Sequence, residues 1–315
     1  MRHLALILFL GMACPLQAAI KIVVSVDWEG RDLAPENIQA MQTFRKDYPQ
    51  IPLQHFLNAA YFTKPQVDAV QVAATMRSVL RPGDEEALHI HPWRSLAKAA
   101  GVNFRTEPAF RGYLDLSKCD PDCGHDVNLA SYSEDELRKW IRTSISILTQ
   151  QGFARPKSFR AGAWMAEART FRALAAEGIV LDSSGTYAEF LKERWGHSLL
   201  YPVVGKIWAS ITPTSQPYTL EPLPGKTLVE LPDNGCLADY TPAESILDTF
   251  QKNVALWKQD PSRDVYVAIG FHQETAQKYI ERIRQGIDLI KAQAEKEKLP
   301  VEFVVPPLAG TFRAG

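Results

Sequence analysis

Ile22-Val23-Val24-Ser25-Val26-Asp27-Trp28-Glu29-Gly30 is the stretch from which the rest of the chain is read. Ile22 to Val26 is short, continuous and rich in β-branched residues, the make-up of a buried strand. Side chains alternate along a strand, so Asp27 and Glu29 point one way and Trp28 points the other, into the packing behind the sheet. Two carboxylates on one face where a core strand ends are costly to bury unless a cation lies between them. A metal ion or an arginine would serve. The alternative is a strand that runs out into water with both acids hydrated.

Four further segments share this character. Leu88-His89-Ile90-His91-Pro92-Trp93 sets two histidines on one face of an extended stretch. Imidazole is the commonest protein ligand for zinc-like ions, and two histidines plus a carboxylate leave open positions for water and substrate. Two core-edge histidines bonded to backbone are the other reading. Ser158-Phe159-Arg160-Ala161-Gly162-Ala163-Trp164 follows a helical segment and a Pro-containing turn. Val180-Leu181-Asp182-Ser183-Ser184-Gly185 ends an apolar run on an acid, and Val265 to Phe271 is an apolar strand that ends on His272. Singly these are a surface arginine, a turn aspartate and a strand-end histidine. Together, each of the five puts a polar residue of catalytic type just past the end of an apolar strand. In a parallel (β/α) barrel those ends converge on one rim, where active sites are built.

In this order the five segments resemble the polysaccharide deacetylase, or NodB-homology, family of carbohydrate esterases, in a divergent form. The resemblance runs from about Lys21 to about Pro306. It implies an α/β fold, a distorted (β/α) barrel forming a single catalytic domain over residues 20–315. It implies that Asp27 is the general base and Glu29 a metal ligand, with His89 and His91 as the other ligands. Arg160 would pair with the base, Asp182 would stand near a hydrophobic wall of the site, and His272 would be the general acid. Three departures from the family pattern are visible: Glu29 where an Asp is usual, one residue between the histidines in place of three, and Ala163-Trp164 in place of a Pro-Tyr pair. The last falls in the region that supplies a backbone N–H to the oxyanion in the family.

The implied reaction is removal of acetyl groups from an N- or O-acetylated polysaccharide or oligosaccharide. It would use a divalent metal, zinc being favoured, while cobalt, nickel or manganese suit the same ligands. Two other readings stand beside it: a non-catalytic glycan-binding protein on the same fold, and a hydrolase of a non-sugar C–N bond.

The 315 residues suit one large domain, since α/β barrels often run about 250 residues. Lys plus Arg number 35 against 36 for Asp plus Glu, which gives no electrostatic case for nucleic acid or an anionic membrane surface. Residues 1–19 read as a secretory signal peptide: Met1-Arg2-His3, an apolar core from Leu4 to Ala13, and small residues at Ala18-Ala19 for cleavage. That core is well short of the roughly 20 residues of a membrane-spanning helix, and no other segment is long enough for stable insertion. A periplasmic or secreted location follows as the expectation. Cys119 and Cys123 sit in a loop rich in Pro, Gly and Asp, expected over the barrel mouth. In an oxidising compartment a disulfide between them is the first reading and a small metal site with His125 the second. Cys236 reads as a buried apolar thiol.

Helices are expected over Asn37 to Tyr48, Val67 to Leu80, Ser133 (as N-cap) to about Gln151, Ala166 to Glu177, from Thr241-Pro242 onward, and Ala276 to Lys296. Strands are expected at Pro52 to Phe56, Ala87 to His91 and Val301 to Val305. This alternation argues for a parallel sheet. Gly196 to Asp239 interrupts it, and reads as a β-rich excursion beside the site. Glu230, Asp233 and Asn234 are its candidate substrate contacts, or else parts of a structural hairpin. Trp28, Trp93 and Trp164 each lie near a motif residue and suit either the core or a sugar face.

Overall fold

The computed structural model describes residues 18–307. The signal-peptide reading therefore falls almost wholly on residues outside those described. In chain order the elements are β1 (Ile20–Asp27), α1 (Pro35–Asp47), β2 (Leu53–Asn58), α2 (Ala69–Arg77), β3 (Glu85–Ile90), α3 (Arg94–Ala100), α4 (Glu134–Gln150), β4 (Ser158–Ala161), α5 (Ala168–Ala176), β5 (Leu181–Asp182), α6 (Lys192–Trp195), α7 (Leu200–Ile207), β6 (Tyr218–Leu223), β7 (Lys226–Glu230), α8 (Ala243–Gln259), β8 (Val265–His272), α9 (Ala276–Glu297) and β9 (Val301–Phe303).

The strands form one curled sheet in the order β6-β7-β5-β4-β3-β2-β1-β8. Every pair is parallel except the β6–β7 hairpin. β1 is the centre of this arrangement. β8 pairs along its whole length, while β2 takes the end of the opposite edge and β9 the start of it. Ile20, Ile22, Val24 and Val26 on one face and Val23 and Ser25 on the other are all buried, as a strand covered on both faces requires. The path is open between β6 and β8, yet the chain after β7 crosses toward β8. There Gly235 N donates to Ala268 O and Ala238 N to Gly270 O, both at 2.8 Å, giving the partial closure of a distorted barrel.

Helices cover the outside, α1 against α9, α9 against α8, and α4 against α5. The capping box on α4 forms as expected, with Ser133 and Glu136 each satisfying the other's backbone. Pro242 is the N-cap of α8 rather than its first helical residue. The excursion does contain β structure, the β6–β7 hairpin, and adds a short helix, α7, that was not expected. Leu200 and Val204, four apart, bury one face of α7, and the run at Ile207-Trp208 is its end. Leu228 to Glu230 does form a strand, parallel to β5. No helix among the described residues is long and apolar enough to cross a membrane.

Candidate active site

The register of β1 against β2 and β8 sets Asp27 beside both Phe56 and His272 at one end of the sheet. Asp27 is almost fully buried and is met by Arg160 from β4, whose Nη1 donates to its Oδ1 at 2.8 Å. Arg160 is itself fixed: Nη1 reaches Ser25 Oγ at 3.0 Å, Nε donates to Ser183 O at 2.9 Å and Nη2 to Ser183 Oγ at 3.0 Å. Burial opposes its charge, but Asp233 and Asp27 outweigh that cost and raise its pKa.

Glu29 lies one turn beyond the strand. Gly30 there has φ +82°, and an added Cβ would come within 2.9 Å of Asn58 and Trp93. That close approach lets Asn58 Nδ2 and Trp93 Nε1 both donate to Glu29 O, at 3.0 and 2.8 Å. From the other side the Glu274 carboxylate accepts from Glu29 N and Arg31 N, at 3.2 and 3.1 Å, and from Tyr61 Oη at 2.7 Å. Burial, then the charge of Glu29, pushes the Glu274 pKa up to about 7.

The Glu29 side chain is thereby aimed at two imidazoles. His91 Nε2 lies 2.8 Å from Oε2 and His89 Nε2 3.3 Å from Oε1. The three ligand atoms all lie within 4.8 Å of one another. Each ring spends its other nitrogen on a carbonyl: His89 Nδ1 on Arg160 O at 2.8 Å, and His91 Nδ1 on His125 O. A carbonyl only accepts, so each Nδ1 carries the hydrogen and each Nε2 keeps a lone pair. His91 Nε2 is buried with no hydrogen-bond partner, although the carboxylate is close. Two Nε2 lone pairs and a carboxylate turned to one point fit a divalent metal. Burial works to raise the Glu29 pKa, but His91, His89 and His272 hold it well below the usual carboxylate range. Gly162 makes room for the His91 ring, since a Cβ there would sit 2.6 Å from Nδ1.

His272 stands at the end of β8, with Nε2 3.5 Å from Glu29 Oε1 and Nδ1 2.9 Å from Asp239 Oδ2. Burial works to lower its pKa, but Asp239, Glu29 and Asp27 raise it to about 10. Thr275 Oγ1 donates to the other oxygen of Asp239 at 2.6 Å. Asp27, Glu29, His91 and His272 share a cavity of about 440 Å³ with Trp164 and Tyr240. Ala163 and Trp164, on its wall, have φ of 55° and 57° in succession. Such left-handed positions cost about 1–3 kcal/mol each. Trp164 is held there by Nε1 donating to Asp233 Oδ2 at 3.0 Å, and by Trp208 Nε1 donating to its carbonyl at 2.7 Å.

The structure thus brings together Asp27, Glu29, His89, His91, Arg160 and His272. It does not bring Asp182 to the cavity. Asp182 is fully buried, accepts from Ser184 Oγ at 2.7 Å and abuts Glu230; burial raises both pKa values, that of Glu230 strongly. Glu230, Asp233 and Asn234 are likewise structural rather than substrate contacts. Glu230 accepts from Gly185 N at 2.7 Å, Asp233 backs Arg160 at 3.6 Å, and Asn234 bonds the backbone of Tyr266 and Ala268. Trp28 is buried, with Nε1 3.2 Å from His55 Nδ1, and Trp93 is buried too, so of the three tryptophans only Trp164 lines the cavity. Cys119 and Cys123 are joined to each other, which removes the Cys–His metal reading, and Cys236 is free and buried.

Asp239, Glu274 and the carbonyl of His125 were not foreseen as parts of the site. Asp239 carried a usable signal, an acid just past the apolar Cys236-Leu237-Ala238, the same pattern as the five motifs. Glu274 and His125 carried none, because their role is to meet backbone groups far away in sequence.

No protein-family model and no curated protein sequence matches the chain. Solved structures do. A protein of Pseudomonas aeruginosa PAO1 described as a probable polysaccharide deacetylase aligns at TM-score 0.52 and 13% identity, over 91% of this chain and 88% of that one. Puue allantoinase aligns at TM-score 0.52 and 13% identity, over 92% of this chain and 88% of that one. The chitin deacetylase of Colletotrichum lindemuthianum aligns at TM-score 0.45 and 10% identity, over 91% and 87%. At these identities the likeness is one of fold. The chain has the NodB-type (β/α) barrel fold found in polysaccharide deacetylases.

Proposed function

We propose that this chain is a metal-dependent hydrolase that removes acetyl groups from an N- or O-acetylated glycan, in the periplasm or outside the cell. The observation that carries the reading is the convergence on one cavity of an Arg-held aspartate, two Nε2-directed histidines with Glu29, and an Asp-held histidine. A divalent ion held by Glu29, His89 and His91, zinc by preference, would supply Lewis acidity toward water and an acyl carbonyl. Asp27, oriented by its charge-assisted bond to Arg160, takes the proton of the attacking water. His272, steadied by Asp239 on its far nitrogen, gives a proton to the departing amine or alkoxide. The family's third motif supplies a backbone donor to the oxyanion, and the corresponding segment here is the left-handed turn at Ala163-Trp164 on the cavity wall.

The test is metal content of the mature protein beside His89→Ala and His91→Ala, with acetate release from acetylated chitooligosaccharides and peptidoglycan fragments. About one metal per chain, lost with acetate release in both variants, supports the reading. Metal retained without acetate release moves it to another substrate. A folded protein that takes up no zinc leaves only a binding role.

A further inference from the structure

Three arginines line the cavity outside the catalytic groups: Arg31, Arg111 and Arg194. Elsewhere arginines of this chain are met by acids: Arg138 and Arg142 by Glu177, Arg105 by Glu136, Arg172 by Glu134, Arg284 by Asp47. Two of those at the cavity, Arg31 and Arg111, are not. Arg31 Nη2 meets His125 Nε2 at 2.8 Å, and it has no carboxylate partner among the described residues. The Arg111 guanidinium is exposed and makes no hydrogen bond or ion pair among the described residues. Arg194 makes only a long ion pair, 3.7 Å to Asp239, an acid it shares with His272, and lies across the Tyr240 and Trp195 rings at 5.5 and 6.0 Å.

The acids that face the same space are committed elsewhere. Asp27 is held by Arg160 and Asp239 by His272, Glu29 faces the histidines, and Glu274 accepts from Tyr61 and two backbone amides. Asp126 lacks such a partner, and Arg31 and Arg111 have no ion pair of their own at the mouth among the described residues. Phe110 and Trp195 meet edge to face at 6.0 Å in the same wall, and offer apolar faces to a sugar ring between the arginines. A guanidinium left unpaired at a cavity mouth is a receptor for an oxyanion, and its planar fork matches a carboxylate.

We infer that the glycan taken by this site is acidic: an oxyanion on the acyl-bearing sugar or its neighbour is received by Arg31, Arg111 and Arg194. A uronic-type carboxylate and a sulfate ester share this chemistry. The inference rests on the hydrolase reading for its sugar, but its test reads binding.

Zinc-loaded protein is titrated with an N-acetylglucosamine tetramer, its C6-carboxylate and its 6-sulfate, at low and at 0.5 M salt (about a 4 Å screening length). The charged tetramers are expected to bind about tenfold tighter than the neutral one at low salt, since each partly exposed pair adds a few-fold. Arg111→Ala narrows the gap, Arg111→Lys keeps part of it, and the triple alanine variant closes it with metal content unchanged. The tighter of the two charged ligands identifies the oxyanion. Equal affinity for neutral and charged tetramers, no measurable binding of either charged one, or a gap that survives in the triple variant overturns the inference. A charge preference without acetate release from any tetramer leaves this inference standing and moves the hydrolase reading to another substrate. Acetate release from the neutral tetramer with no charge preference overturns this inference and leaves the hydrolase reading standing.

Discussion

Asp239 shows what a single residue adds that no motif announces. It holds His272 at Nδ1, the nitrogen not turned to Glu29, at 2.9 Å. Asp239→Asn keeps the shape and removes the charge. Acetate release is expected to fall about 10²-fold, within the range general acid–base catalysis contributes, while zinc content is unchanged. Unchanged turnover would free His272 of its assigned role. Gly162 acts through space alone. Gly162→Ala drives a Cβ into the His91 ring, and zinc affinity is expected to drop about tenfold, as for other groups that orient a ligand. A chelator competition would read this, and undiminished affinity would show that His91 can move aside. Asp27, Glu29 and His272 were legible residue by residue, because an acid or base at or just past the end of a buried, β-branched run is a local pattern, while Arg160 was picked out by the resemblance. Asp182 had the same local pattern and landed elsewhere: β5 is two residues long, and its end faces Glu230 instead of the cavity.

At the scale of elements, the loop closed by Cys119 and Cys123 delivers the carbonyl of His125 to His91 Nδ1. This loop lies at the cavity, as the sequence suggested, and the contact gives it a definite task. Such a small loop contributes about 2 kcal/mol when cross-linked. The Cys119→Ser/Cys123→Ser variant is expected to melt a few degrees lower and to bind zinc several-fold more weakly, both measured on the folded protein without reductant. A weaker melt with undiminished zinc affinity would confine the disulfide to stability. The helices of the outer layer followed from their caps and spacing. Within Gly196 to Asp239 α7 did not, because the Pro-rich composition masks the four-residue spacing that buries one of its faces.

For the molecule as a whole, one buried acid links stability to pH. Glu85, the first residue of β3, accepts from Gln54 Nε2 at 2.9 Å and from Ser158 Oγ, and burial raises its pKa from 4.5 to about 7. The folded chain therefore keeps that proton up to about pH 7, while the unfolded chain releases it near 4.5. Over that interval the native state binds more protons, so this group's contribution to stability falls as pH rises, by up to about 3 kcal/mol. Glu85→Gln is expected to raise Tm relative to wild type by several degrees at pH 8 and by little at pH 5. A Tm difference independent of pH would show that Glu85 titrates normally.

By itself the sequence determined the alternation of strands and helices. It also determined the placing of Asp27, Glu29, His89, His91, Arg160 and His272 at strand ends, for these depend on short-range periodicity and on the cost of burying charge. Only the tertiary structure decided which of those groups meet, that Asp239 and the His125 carbonyl complete them, and that Asp182, Glu230 and Asp233 lie behind Arg160. Those outcomes depend on how strands distant in sequence stack around β1, and on which polar groups are left unpaired once they do.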